Sequence, residues 1–149
     1  MNKKLNAALV AAALVAALAG CETMNKMGAS MSGGGGEKVS LTGSNEVPPV
    51  QSAASGMGTV AVNSDKTVKV DIKVSGMTPT AAHIHEGAAG ANGPVLVPLV
   101  KKGDNEFVAA EGAKLTDAQY EAYKAGKTYV NVHSEAHKGG EIRAQLKGQ

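Results

Sequence analysis

All four histidines of the chain fall in two short blocks, His83-Ile84-His85 and His133-Ser134-Glu135-Ala136-His137. On a strand, residues i and i+2 point to the same face. His83 and His85 therefore stand side by side, about 6.6 Å apart along the backbone at a rise of about 3.3 Å per residue. Two imidazoles so placed can converge on one ion, and imidazole nitrogen suits copper, zinc, iron and nickel. A second strand passing nearby would add His133 and His137. The expected site is thus His83, His85, His133 and His137, with copper or zinc as the ion. Glu86 adjoins the first block and Glu135 lies in the second. Either could accept a hydrogen bond from the far nitrogen of a ligating ring and hold its orientation. The other reading is structural: histidines that donate to backbone carbonyls or face water. The residues alone leave both open.

The single cysteine carries a different chemistry. Asn2-Lys3-Lys4 is a short cationic start, and an Ala/Leu/Val run interrupted only by Asn6 follows it to Ala19. Leu18-Ala19-Gly20-Cys21 then matches the lipobox, in which cleavage before the cysteine leaves it free for diacylation on sulfur. A cationic start, a short apolar run and small residues before the cut read as a signal peptide. A spanning helix needs about 20 apolar residues, and this run is shorter. More than one acyl chain anchors durably, so a lipid membrane is the expected partner of Cys21. Glu22 stands where an aspartate would favour inner-membrane retention in enteric bacteria, which points to the outer membrane with the domain outside the cytoplasm.

The expected organisation is a signal peptide (residues 1–20), a lipidated Cys21 with a Gly-rich tether (residues 21–36) and one domain (residues 37–149). The tether ends in Gly33-Gly34-Gly35-Gly36, and about 15 residues of flexible coil reach roughly 20 Å. Met24, Met27 and Met31 lie within it. Thioethers favour Cu(I), which a methionine copper relay would use, but incidental linker composition is by far the stronger account of them. Cleavage removes Lys3 and Lys4, which leaves 13 basic against 13 acidic residues. Without a basic stripe, nucleic-acid binding has no electrostatic footprint. One cysteine allows no internal disulfide, so packing alone must hold the fold. No P-loop and no Gly-x-Ser-x-Gly elbow occurs.

Alternation is the main signal for the elements around these residues. Val68, Val70, Ile72 and Val74 alternate with polar residues, the period of a half-buried strand. Val60 and Val62 precede them across an Asn63-Ser64-Asp65-Lys66 turn, which predicts a hairpin. Residues 94–100 form a Val/Leu run that turns into residues 106–110. Val130 and Val132 alternate with Tyr129, Asn131 and His133, and Ile142, Ala144 and Leu146 with Glu141, Arg143 and Gln145. By alternation Arg143 lies on the outer side of its strand, where it could attract anions or pair with Glu141. Thr116 with Gln119 predicts a capping box and a short helix, ended by Gly126. About seven short strands with regular turns predict an all-β, antiparallel, Greek-key-like sandwich or barrel with one short helix.

The chain resembles the CHRD domain, a module named from chordin. The resemblance rests on Leu41-Thr42-Gly43-Ser44-Asn45-Glu46-Val47-Pro48-Pro49-Val50, Ala81-Ala82-His83-Ile84-His85-Glu86-Gly87 and Gly90-Ala91-Asn92-Gly93-Pro94-Val95. It continues through Tyr129-Val130-Asn131-Val132-His133 to Gly139-Gly140-Glu141-Ile142-Arg143. More distantly, His83-Ile84-His85-Glu86 and Val132-His133-Ser134-Glu135 are similar to segments of Cu/Zn superoxide dismutase. That similarity implies His83, His85 and His133 as copper ligands on a β-sandwich. This chain has no bridging histidine between His85 and His133 and no second cysteine.

The expected function is a non-enzymatic, membrane-anchored binding module that holds copper or zinc through its histidines, with no catalytic residue. A copper-only dismutase-like enzyme is the first alternative. A structural or protein-interaction domain is the second, in which Glu46-Val47-Pro48-Pro49-Val50 is a docking edge or a loop over the core. The sequence identifies no protein partner.

Overall fold

The computed structural model describes residues 35–148. Cys21, the signal segment, the tether methionines and Gly33-Gly34 lie outside the described residues. Eight strands and one helix follow in order: β1 (Glu37–Thr42), β2 (Ser55–Val62), β3 (Val68–Ser75), β4 (Pro79–Glu86), β5 (Val95–Gly103), β6 (Glu106–Ala109), α1 (Asp117–Lys124), β7 (Thr128–Ser134) and β8 (Ile142–Leu146). All neighbouring strands pair antiparallel, and they close into a barrel in the order β1-β2-β3-β6-β5-β4-β7-β8. Strands β4, β5 and β6 are joined consecutively, and β7 returns by a long connection through α1 to lie beside β4. That is the Greek-key arrangement, so the all-β expectation holds, with closure into a barrel. Among the described residues no helix is long and apolar enough to cross a membrane.

Eight strands are present rather than about seven. The extra one is β1, where only Val39 and Leu41 turn inward. Two apolar positions are too few to establish a period, yet β1 pairs with β2 over the register from Glu37↔Val60 to Thr42↔Ser55.

The interior is built from the inward half of each strand. On β3, Val68, Val70, Ile72 and Val74 are buried and the residues between them exposed. Leu41, Val60, Ile84, Phe107, Val130, Val132 and Ile142 join them in one core. Burial of each such side chain stabilises by about 1.5–3 kcal/mol. Thr116 and Gln119 complete the capping box of α1, and the helix buries Tyr123. Its end is a Schellman motif: Gly126, at φ +69°, donates to the Tyr123 carbonyl, and Lys127 donates to that of Ala122.

One strand departs from alternation. All seven residues of β7 are buried. Val130 and Val132 face the barrel interior. Tyr129, Asn131 and His133 face outward but are covered by loops spanning residues 43–54, 87–94 and 134–141. This outer face of β4, β7 and β8 carries the site.

Candidate metal centre

Register explains how distant histidines meet. In the antiparallel pair β4–β7, His85 lies opposite Tyr129, His83 opposite Asn131 and Ala81 opposite His133. His133 is thus the diagonal neighbour of His83, within reach of a long side chain. The rings of His83 and His85 are 5.5 Å apart, and those of His83 and His133 are 4.8 Å apart. One ligand nitrogen from each of His83, His85 and His133 falls within 4.8 Å of the others.

The hydrogen bonds fix which nitrogen each ring presents. His85 Nδ1 lies 3.0 Å from the Gly93 carbonyl, and His133 Nδ1 lies 2.9 Å from that of Lys138. A carbonyl only accepts, so both Nδ1 atoms carry the proton and both Nε2 atoms keep a lone pair. His83 Nδ1 donates to His133 Nε2 across 3.0 Å. His85 Nε2 is buried and has no hydrogen-bond partner among the described residues. An orphaned buried acceptor is costly, and a metal ion is one group that would satisfy it. Rings tied at the far nitrogen to a carbonyl are the usual way ligating histidines are oriented.

Protonation favours the same state. Burial first, then the neighbouring His133 and His85, holds His83 below the ordinary histidine value of 6.5. Burial likewise lowers His133, against the raising effect of the Lys138 carbonyl and with His85 adding to the depression. Neutral imidazoles are the form that ligates.

Behind the cluster stands a stack. The His85 ring lies parallel to Tyr129 at 4.9 Å, and the Arg143 guanidinium carbon lies 3.4 Å from the Tyr129 ring centre. Strands β4 and β8 flank β7, so histidine and arginine occupy opposite faces of the tyrosine. Arg143 is only 1 % exposed, which corrects its expected place on an open surface. It makes no pair with Glu141. Its Nη1 donates to Asn92 Oδ1 at 3.1 Å, and Nη2 to Ala91 O at 2.8 Å, Ala88 O at 3.3 Å and Gln145 Oε1 at 3.2 Å. These bonds hold the 87–94 loop whose Gly93 carbonyl orients His85. A Cβ on Gly93 would lie 1.7 Å from the Glu86 carbonyl, so only glycine lets that loop approach.

Three expected site residues stand apart from the cluster. His137 is half-buried in the turn after β7, where its amide donates to Ser134, and its ring is not among the converging nitrogens. The turn reverses the chain right after His133 and carries His137 away. Glu86, at the exposed end of β4, is one residue out of phase with His83 and His85. Glu135 is exposed and pairs with Lys138 at 3.7 Å. The orienting role expected of these carboxylates is filled by the carbonyls of Gly93 and Lys138. Sequence reasoning gave no site role to Asn131, Tyr129 or Asn92, and read Glu46 only as part of a docking edge or a loop over the core. Asn92 ties two loops together, its Nδ2 donating to Val47 O at 2.7 Å while its Oδ1 takes Arg143. The available signal was that Tyr129 and Asn131 share a face with His133.

The family model of the CHRD domain matches residues 38–146. No curated protein and no solved structure matches the chain.

Proposed function

The chain belongs to the CHRD domain family, and on that premise we propose that it is a non-enzymatic binding module of the cell envelope that holds copper or zinc at His83, His85 and His133. One observation carries the reading: the buried His85 Nε2 lacks a partner among the described residues while its Nδ1 is tied to a carbonyl. Three neutral imidazoles are a donor set suited to either metal. Lipidation at Cys21 would tether the module to the outer membrane, a reading supported by Leu18-Ala19-Gly20-Cys21; palmitate labelling lost with Cys21→Ser tests it.

The site is tested by loading the purified protein with Cu(II) or Zn(II) and measuring metal per chain beside a His85→Ala/His133→Ala variant. One equivalent, lost in the variant while its circular dichroism is unchanged, is the expected result. Wild-type protein that retains no metal above background sinks the proposal.

A dismutase-like copper enzyme is the second reading, favoured by the half-exposed His83, through which a small oxidant could approach. It requires superoxide removal by the copper-loaded protein that disappears with His83→Ala; an inactive copper-loaded protein ends it.

A further inference from the structure

We propose that Asn131 supplies an oxygen ligand beside the three imidazoles and that Glu46 is the residue that turns its carbonyl toward the ion; this rests on the metal reading above. Asn131 lies on the outer face of β7 between Tyr129 and His133, opposite His83, and is 2 % exposed. Its Oδ1 is 3.0 Å from His133 Nε2. That nitrogen keeps its lone pair because the proton sits on Nδ1, held by the Lys138 carbonyl. Two acceptors therefore face each other at hydrogen-bonding distance, an arrangement that a cation between them resolves. His83 Nδ1 is aimed at the same nitrogen, so the ion takes the place of the proton that now lies between the two rings.

The orientation of the amide follows from its other side. A Cβ on Gly140 would fall 2.4 Å from Glu46 Oε1 and 2.6 Å from Asn131 Nδ2. Both atoms thus meet in the slot that this glycine leaves open. Glu46 is 4 % exposed, and its Oε1 has no hydrogen-bond partner among the described residues. The Asn131 amide beside it is the donor that the geometry offers. A carboxylate accepts only, so Nδ2 turns to Glu46 and Oδ1 to His133. The Glu46 loop is itself held: Asn45 Nδ2 donates to Arg143 O at 3.2 Å, and Asn92 Nδ2 to Val47 O. The Asn-Glu-Val-Pro-Pro segment thereby becomes part of the site. Three imidazoles with a neutral oxygen, and no sulfur donor beside them among the described residues, suit a divalent ion over Cu(I).

The test measures Cu(II) affinity and electron paramagnetic resonance in the wild type, Asn131→Ala, Glu46→Ala, Glu46→Gln and the double alanine variant. Asn131→Ala should keep one equivalent, with affinity about 10–100-fold weaker and altered copper hyperfine coupling. Glu46→Ala should weaken binding in the same way, Glu46→Gln should restore most of it through its amide oxygen, and the double variant should be no weaker than Asn131→Ala. If Asn131→Ala does not fold, the swapped pair Asn131→Asp/Glu46→Gln keeps the shape, a donor facing an acceptor and an oxygen for the ion. It should bind one equivalent at no lower affinity; a folded swapped pair that fails to bind overturns the inference. Wild-type affinity and spectrum in Asn131→Ala overturn it while leaving the histidine site standing. Wild-type protein that takes up no Cu(II) overturns both.

Discussion

Inside the barrel, Val130 and Val132 are fully buried among aliphatic neighbours; on the other face of the same strand, Tyr129, Asn131 and His133 are almost as deeply buried among polar ones. The two regions are held by different physics. The interior gains from removing apolar area from water, which is non-directional and tolerant of changes that conserve volume. The outer layer gains only when each donor finds its acceptor, because a buried polar group left unpaired is costly. Buried orphans among the described residues fall in both regions: Tyr123 OH and Thr128 Oγ1 lie at the core, and His85 Nε2 and Glu46 Oε1 in the outer layer. His85 differs in that two further imidazoles converge with it.

The interior should give the largest loss of stability. Phe107 on β6 is 1 % exposed, and β6 pairs with none of β4, β7 and β8. Phe107→Ala should cost about 3–5 kcal/mol, read from urea unfolding, while the fraction still folded binds metal as the wild type does. A matching loss of metal affinity in the folded protein would mean that the two regions are not separable.

Arg143 should show the opposite pairing of effects. Arg143→Ala removes the cation from the Tyr129 face and empties four hydrogen bonds, at a cost of about 3 kcal/mol. It also frees the loop that carries Gly93, so metal affinity should fall as well. Arg143→Lys should recover less than half, because an ammonium cannot reproduce the planar fork. Loss of stability with metal affinity intact would break the link from Arg143 through the loop to His85.

The interior was largely legible in the sequence, because period two in residues such as Val68, Val70, Ile72 and Val74 is a local property. The histidine pair His83 and His85 was legible for the same reason. What joins them to His133 is the β4–β7 register, a pairing across 50 residues of chain that no local pattern encodes. The covering loops were illegible for a related cause: alternation in β7 and β8 predicts an outer face but says nothing of what lies over it. Hence Arg143 was expected in the open, and Glu86 and Glu135 were expected to do what backbone carbonyls do. Asn131 and Glu46 sit in stretches that carry the family resemblance, but nothing local in either stretch shows that the two meet, and Gly140 between them matters through neighbours distant in sequence.

The smallest effect tests whether the outer layer is held at its rim by charge-assisted bonds. Glu141, 8 % exposed, accepts from Ser52 Oγ at 2.6 Å and from Ser134 Oγ, tying the 43–54 loop to the turn after β7. Burial raises its pKa, but the Ser134 and Ser52 hydroxyls and the nearby His137 outweigh that, and the carboxyl sits below the ordinary value of 4.5. A carboxyl depressed in the folded state contributes stability that is present above its unfolded value and is lost as pH falls through its folded value. Glu141→Gln should therefore cost about 1.5 kcal/mol at pH 7, and the gap to wild type should close as pH falls below 4.5. Urea midpoints at pH 7 and pH 3 read it directly. Because the same turn presents the Lys138 carbonyl to His133, metal affinity should drop by less than in Arg143→Ala. A gap that persists at pH 3 would show that Glu141 acts through its shape, and the outer layer would then resemble the interior more closely than its chemistry implies.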